Sequence, residues 1–117
     1  MNRPEKTMEK LVSALTLSQK ARRLVVGFDA VKEAILNQTA KLVLLSDDVS
    51  PKTRKEAEYL CQTHHVMLRI LPFKMDELWY LLGRKAGVLS VIDKGFAEKI
   101  LALLEICLRE ERIGHNI

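Results

Sequence analysis

The stretch Ala40-Lys41-Leu42-Val43-Leu44-Leu45-Ser46-Asp47-Asp48-Val49-Ser50-Pro51 decides the fold of this chain. Its apolar run from Leu42 to Leu45 is too short for a typical helix. A Ser/Asp cluster and a Ser-Pro helix start close it, so it reads as a strand buried on both faces. Such a strand needs other elements packed above and below it. In open α/β sheets ligands meet the carboxyl edge of the strands, which sets Ser46, Asp47 and Asp48 near a working surface.

Downstream of it, Ser50-Pro51 is a good N-cap and first-position pair and predicts a helix from Pro51 to His64 that buries Ala57, Leu60 and Cys61. A strand from Val66 to Leu71 follows and is broken by Pro72. Asp76 and Glu77 suit the first turn of a helix through Leu78, Leu81 and Leu82, with Gly83 as its C-cap. Then come the basic loop Arg84-Lys85-Ala86-Gly87, an apolar strand from Val88 to Ile92, and Asp93 placed to cap a final helix. That helix carries Phe96, Ile100, Leu103, Leu104 and Cys107 along one face. The polar tail from Arg109 to Ile117 is expected to fray.

Upstream, Leu11, Leu15 and Ser18 recur at helical spacing between Lys6 and Arg22, with Val12 and Ala14 widening the stripe. Arg22 and Arg23 end this helix, Leu24-Val25-Val26 is a short strand, and Gly27 stops it. A second helix starts near Asp29; Phe28, Val31, Ala34 and Ile35 form its buried face, and Lys32 and Glu33 stand outside. Strands alternating with helices predict a three-layer α/β/α sandwich with a mixed sheet of about four strands. With 117 residues one domain is expected, its core spanning about residues 8–108.

Composition narrows the class. The chain is 48% hydrophobic and 29% charged, and no apolar run approaches the roughly 18 residues of a membrane span. The start lacks the apolar region of a secretory signal, and Cys61 and Cys107 form no redox or metal spacing, so a cytoplasmic setting is expected. The net charge is +4, and residues 1–32 hold seven Lys/Arg against three acids while the remainder holds twelve of each. An anionic partner is drawn toward the first third of the chain; a solvated basic helix accounts for the same composition.

The motifs of catalysis are missing. No G-x-G-x-x-G follows a strand, and neither a P-loop nor H-E-x-x-H occurs. Cys61 and His65 share a helix face but offer two ligands where about four are usual. Asp47-Asp48 lacks the third Asp that a phosphoacceptor pocket needs at the next strand end, where this chain has Leu71-Pro72. The pair reads more simply as carboxylates leading into a helix N-terminus.

Taken in order, Gly27-Phe28-Asp29, the stretch Ala40 to Asp48, Gly83 and Asp93-Lys94-Gly95-Phe96-Ala97 resemble the kink-turn-binding ribosomal protein family. This is the group of the large-subunit proteins seven-Ae and thirty-e, and within it the chain is similar to the small bacterial YlxQ type. The resemblance covers about Leu11 to Leu101. It implies an α/β/α sandwich that binds structured RNA, ribosomal RNA among the candidates, without cofactor or catalysis. It also implies that the RNA is gripped by the N-terminus of the second helix and by the loop before the last strand, here Gly27 to Glu33 and Gly83 to Val88.

A helix N-terminus offers free N–H groups to phosphate, and a glycine there admits the nucleic-acid backbone closely. Against the family's pattern, Asp29 stands for Asn, Ala30 for Glu, and Glu33 for a Lys, with Lys32 one residue away; the loop tip is Arg84-Lys85-Ala86 instead of apolar. The expected RNA-binding set is therefore Arg22, Arg23, Gly27, Phe28, Asp29, Lys32, Glu33, Arg84, Lys85 and Ala86, with the cations holding phosphate. Several of these have plainer roles open to them: Gly27 as a strand-to-helix turn, Asp29 as an N-cap, Phe28 as core. A rival class is a protein-interaction module that uses the apolar face of the last helix, Ile100 to Leu108, as its partner surface.

Overall fold

The computed structural model of the chain describes residues 3–115, with side chains from Lys6 to Arg109. Its elements alternate: α1 (Arg3–Lys20), β1 (Leu24–Val26), α2 (Phe28–Leu36), β2 (Leu42–Leu45), α3 (Pro51–His64), β3 (Met67–Ile70), α4 (Met75–Leu82), β4 (Val88–Val91) and α5 (Lys94–His115). The four strands form one mixed sheet in the order β1-β4-β2-β3. β4 runs antiparallel to both β1 and β2, whereas β2 and β3 are parallel.

Every residue of β2 and of β4 is buried, because these are the two interior strands and helices lie on both sides of them. Alternation along the strands sends Val26, Leu42, Leu44, Leu89 and Val91 to one face, where Leu11 and Leu15 of α1, Leu78 and Leu82 of α4, and Ile100 and Leu104 of α5 meet them. Val43, Leu45 and Val88 point the other way, against Val31, Ala34 and Ile35 of α2 and Ala57 and Cys61 of α3. The result is the three-layer α/β/α sandwich predicted above. Burial pushes the Cys61 thiol up to about 11, so it stays protonated and inert at neutral pH.

The helix boundaries follow their local chemistry. The Ser50 hydroxyl accepts from the Thr53 N–H at 3.2 Å and Pro51 takes the first position of α3, while Asp93 Oδ2 accepts from the Phe96 N–H at 2.9 Å to cap α5. Gly83 closes α4 at φ 73 in the left-handed region, as its C-cap position requires.

Two expectations about α5 need correcting. The helix continues through Arg109 to His115, so the segment expected to fray at Arg109 stays helical; Asn116 and Ile117 lie outside the described residues. Its apolar face is also covered further than a sheet alone allows, because α1 packs along it: Ile100, Leu103 and Leu104 are buried and Cys107 is half-buried, leaving Leu108 as the exposed end. The proposed partner surface is thus reduced to its last turn.

Candidate RNA interface

Because β1, β2 and β3 run together and β4 runs against them, the ends of the first three and the start of the fourth share one edge of the sheet. Four connections meet there. The Gly27 N–H donates to the Val88 carbonyl and the Ser46 N–H to the Gly87 carbonyl, each at 2.9 Å, and the Asp47 N–H donates to the Phe73 carbonyl at 2.8 Å. The sequence-predicted segments Gly27–Glu33 and Gly83–Val88 are therefore brought side by side, with Ser46 to Asp48 next to them.

Gly27 is the N-cap of α2 at φ 106 and ψ 146, and no side chain caps the helix. An L-residue rarely adopts that backbone conformation, although a Cβ built there would meet nothing within 4 Å. The glycine is required for its dihedrals, and it leaves the space in front of the helix N-terminus open. Gly27→Ala is expected to cost about 1–2 kcal/mol in urea unfolding, all of it conformational; a cost near zero would mean that the turn relaxes freely. Asp29 lies inside the first turn of α2 and is exposed, so the N-cap role open to it in the sequence belongs to Gly27. Its charge still suits a helix N-terminus.

Phe28 packs against the core beneath α2 and Ala86 against the core on the opposite face, each half-buried. Lys32 and Glu33 are exposed on the second turn of α2. Arg84 and Lys85 are exposed on the loop after Gly83. The Lys85 ammonium lies 3.9 Å from Asp76 Oδ1 and 6.0 Å from the centre of the Trp79 ring, a position that favours the cation twice. Trp79 and Tyr80 are both largely exposed beside it.

Arg22 and Arg23 are not part of this constellation. The Ile92 N–H donates to the Arg23 carbonyl at 2.9 Å, which puts both arginines at the opposite edge of the sheet, where β1 begins. Three strand residues separate that edge from Gly27, roughly 13 Å of chain. Lys41, at the start of β2, stands at the far edge as well.

The roles that Gly87 and Asp48 play at this edge were not read from the sequence. A Cβ on Gly87 would meet Val49 Cγ2 at 3.0 Å, Ser46 Oγ at 3.2 Å and Met75 Sδ at 3.3 Å, so a glycine lets three connections close on one another; its place just before a buried strand was the available signal. Asp48 Oδ1 accepts from the Met75 N–H at 2.9 Å and so caps α4 from 27 residues away, instead of serving the helix that follows it in sequence. That hydrogen bond is the main reason its carboxyl is held below the usual carboxylate value of 3.8. The buried Ser46 hydroxyl helps hold the Asp48 charge without making a hydrogen bond of good geometry.

A depressed folded-state pKa stabilises the fold above the unfolded value near 3.8, and the contribution disappears as pH falls through the lower folded value. Asp48→Asn is therefore expected to lower stability at neutral pH and to flatten the stability profile below pH 4. An unchanged acid limb would remove Asp48 from the cap.

Charge at this edge is not basic: Asp29, Asp47, Asp48 and Asp76 outnumber Lys74, Arg84 and Lys85. Lys74 also lies 4.0 Å from Asp47 Oδ2. Among the described residues no group of three or more His, Cys, Asp or Glu side chains could hold a metal ion, and no helix is long and apolar enough to cross a membrane.

The model of the ribosomal protein L7Ae/L30e/S12e/Gadd45 family matches residues 9–101. The chain is 40% identical over 96 residues to the RNA-binding protein YlxQ of Bacillus subtilis, covering 78% of this chain and 91% of that one. It is 36% identical over 85 residues to the large ribosomal subunit protein eL30 of Pyrobaculum islandicum, covering 71% and 83%. A solved structure of a protein of unknown function from Bacillus halodurans C superposes with a TM-score of 0.77 at 30% identity, over 82% of this chain and 97% of the other.

Proposed function

Because the chain belongs to the ribosomal protein L7Ae/L30e/S12e/Gadd45 family, we propose that it is a non-enzymatic protein that binds structured RNA at the edge of the sheet carrying Gly27. The observation that carries this reading is the uncapped N-terminus of α2 lying against the loop before β4. First-turn N–H groups not taken by a side chain are donors for a phosphate, and the helix dipole adds to their pull. Open space in front of Gly27 lets an RNA backbone come close.

A sharply bent RNA suits this edge better than a straight one. The local acids oppose a simple Coulombic grip, so backbone donors and shape must supply most of the preference, with Arg84 and Lys85 adding phosphate contacts. Kink-turns are the bent RNAs proposed here, and ribosomal RNA is the proposed source. Support for the RNA class comes from the relatives, which are named as an RNA-binding protein and a ribosomal protein.

The direct test is an amide chemical-shift map on adding a kink-turn RNA. Changes are expected at Gly27 to Ala30 and at Arg84 to Gly87. Changes confined to Arg22, Arg23 and Lys41, or no changes at all, would remove this edge from the contact.

A further inference from the structure

The four connections at the opposite edge, where β1, β2 and β3 begin and β4 ends, are residues 21–23, 37–41, 65–66 and 92–93. Together with the residues that adjoin them at the ends of the helices and strands, they hold five cations, Lys20, Arg22, Arg23, Lys41 and Lys94, against one acid, Asp93. That acid is already engaged as the cap of α5. All five cations are exposed, and none makes an ion pair among the described residues. The excess at this edge matches the net charge of the whole chain, +4.

Local structure explains only part of it. Lys20 ends α1 and Arg22 and Arg23 follow it, at a helix C-terminus where cations are favoured by the dipole. Lys41 opens a strand and has no such reason. Lys94 begins α5, a helix N-terminus where the dipole disfavours a cation. An anion from outside the chain accounts for both.

We infer that this edge is a second nucleic-acid surface, which takes the phosphate backbone of an RNA helix independently of the Gly27 edge. Arg23 and Lys41 flank the end of β4 on its two sides, the Ile92 N–H donating to the Arg23 carbonyl and the Lys41 N–H to the Val91 carbonyl. Two strand spacings, about 10 Å, separate them, so their long side chains can reach phosphates of one backbone. A protein with two such edges joins two segments of a folded RNA, one held through shape and one through charge. The inference rests on the reading that the protein meets RNA, but on different residues.

The test compares binding of a straight RNA duplex by three proteins over a salt series: the native chain, Arg22→Asn/Arg23→Gln/Lys41→Gln, and Arg84→Ala/Lys85→Ala. Asn is chosen at position 22 because Arg22 has φ 59, a region that Asn tolerates. The far-edge variant is expected to bind the duplex at least about tenfold more weakly and to lose about two to three units of salt slope, close to one per lost contact. The loop variant is expected to bind it within about twofold of native.

Lys41→Gln/Lys94→Gln leaves the left-handed position untouched and is expected to lose about half as much, with an unchanged unfolding midpoint. Duplex affinity unchanged in the far-edge variants would overturn the inference. So would loss of duplex binding in the loop variant alone, or native binding to phosphatidylglycerol vesicles with none to the duplex. If the Gly27 edge is the part that fails, the kinked RNA shows no preference while duplex binding keeps its sensitivity to Arg22, Arg23 and Lys41.

Discussion

Leu44→Ala is expected to lower the free energy of unfolding by about 2–5 kcal/mol, the largest stability effect of any single change discussed here. Leu44 is 0% exposed and lies in an interior strand, on the face that α1, α4 and α5 cover. Truncation removes the transfer energy of its side chain and leaves a cavity, since helices on that face are held by many other contacts and cannot collapse into it. The thermal midpoint should fall by on the order of 10 °C. Leu36→Ala is the control: that residue is 51% exposed at the end of α2 and should change stability by less than about 0.5 kcal/mol. Equal losses in the two variants would mean that β2 is not the centre of the core.

The second large effect concerns binding. Arg84→Ala/Lys85→Ala is expected to weaken binding of a kinked RNA by about tenfold or more near physiological salt and to flatten the salt dependence by two units at most. Lys85 already faces Asp76 and Trp79, but that exposed pair is worth little and yields readily to a phosphate. Gly83 and Gly87 are kept in this variant, so the turn geometry of the loop survives. An unchanged slope would remove the loop from the contact surface.

The sheet was legible because its interior strands are continuous apolar runs. Leu42 to Leu45 and Val88 to Val91 are buried on both faces, and such a run leaves few readings open. Ser50-Pro51 marked the start of α3 to the residue because cap and proline act locally. Less visible was whatever depends on elements far apart in sequence. The cover that α1 gives α5 is a tertiary contact, and the link from Asp48 to Met75 spans 27 residues.

The candidate site divides in the same way. Gly27 and the loop before β4 were readable as partners through the family resemblance, and the topology sets them side by side. Arg22 and Arg23 stand only a few residues before Gly27, but the strand read between them carries the chain from one edge of the sheet to the other, a consequence that their nearness in sequence hid. Counting strand residues, instead of sequence distance, separates the two groups.

A salt titration of a kink-turn RNA beside a straight duplex of equal length tests the central claim most directly. The account predicts tighter binding to the kinked RNA, with a margin that persists as salt rises because backbone donors and shape supply it, and weaker, steeply salt-dependent binding to the duplex. Equal affinity and equal salt slopes for the two RNAs would contradict it.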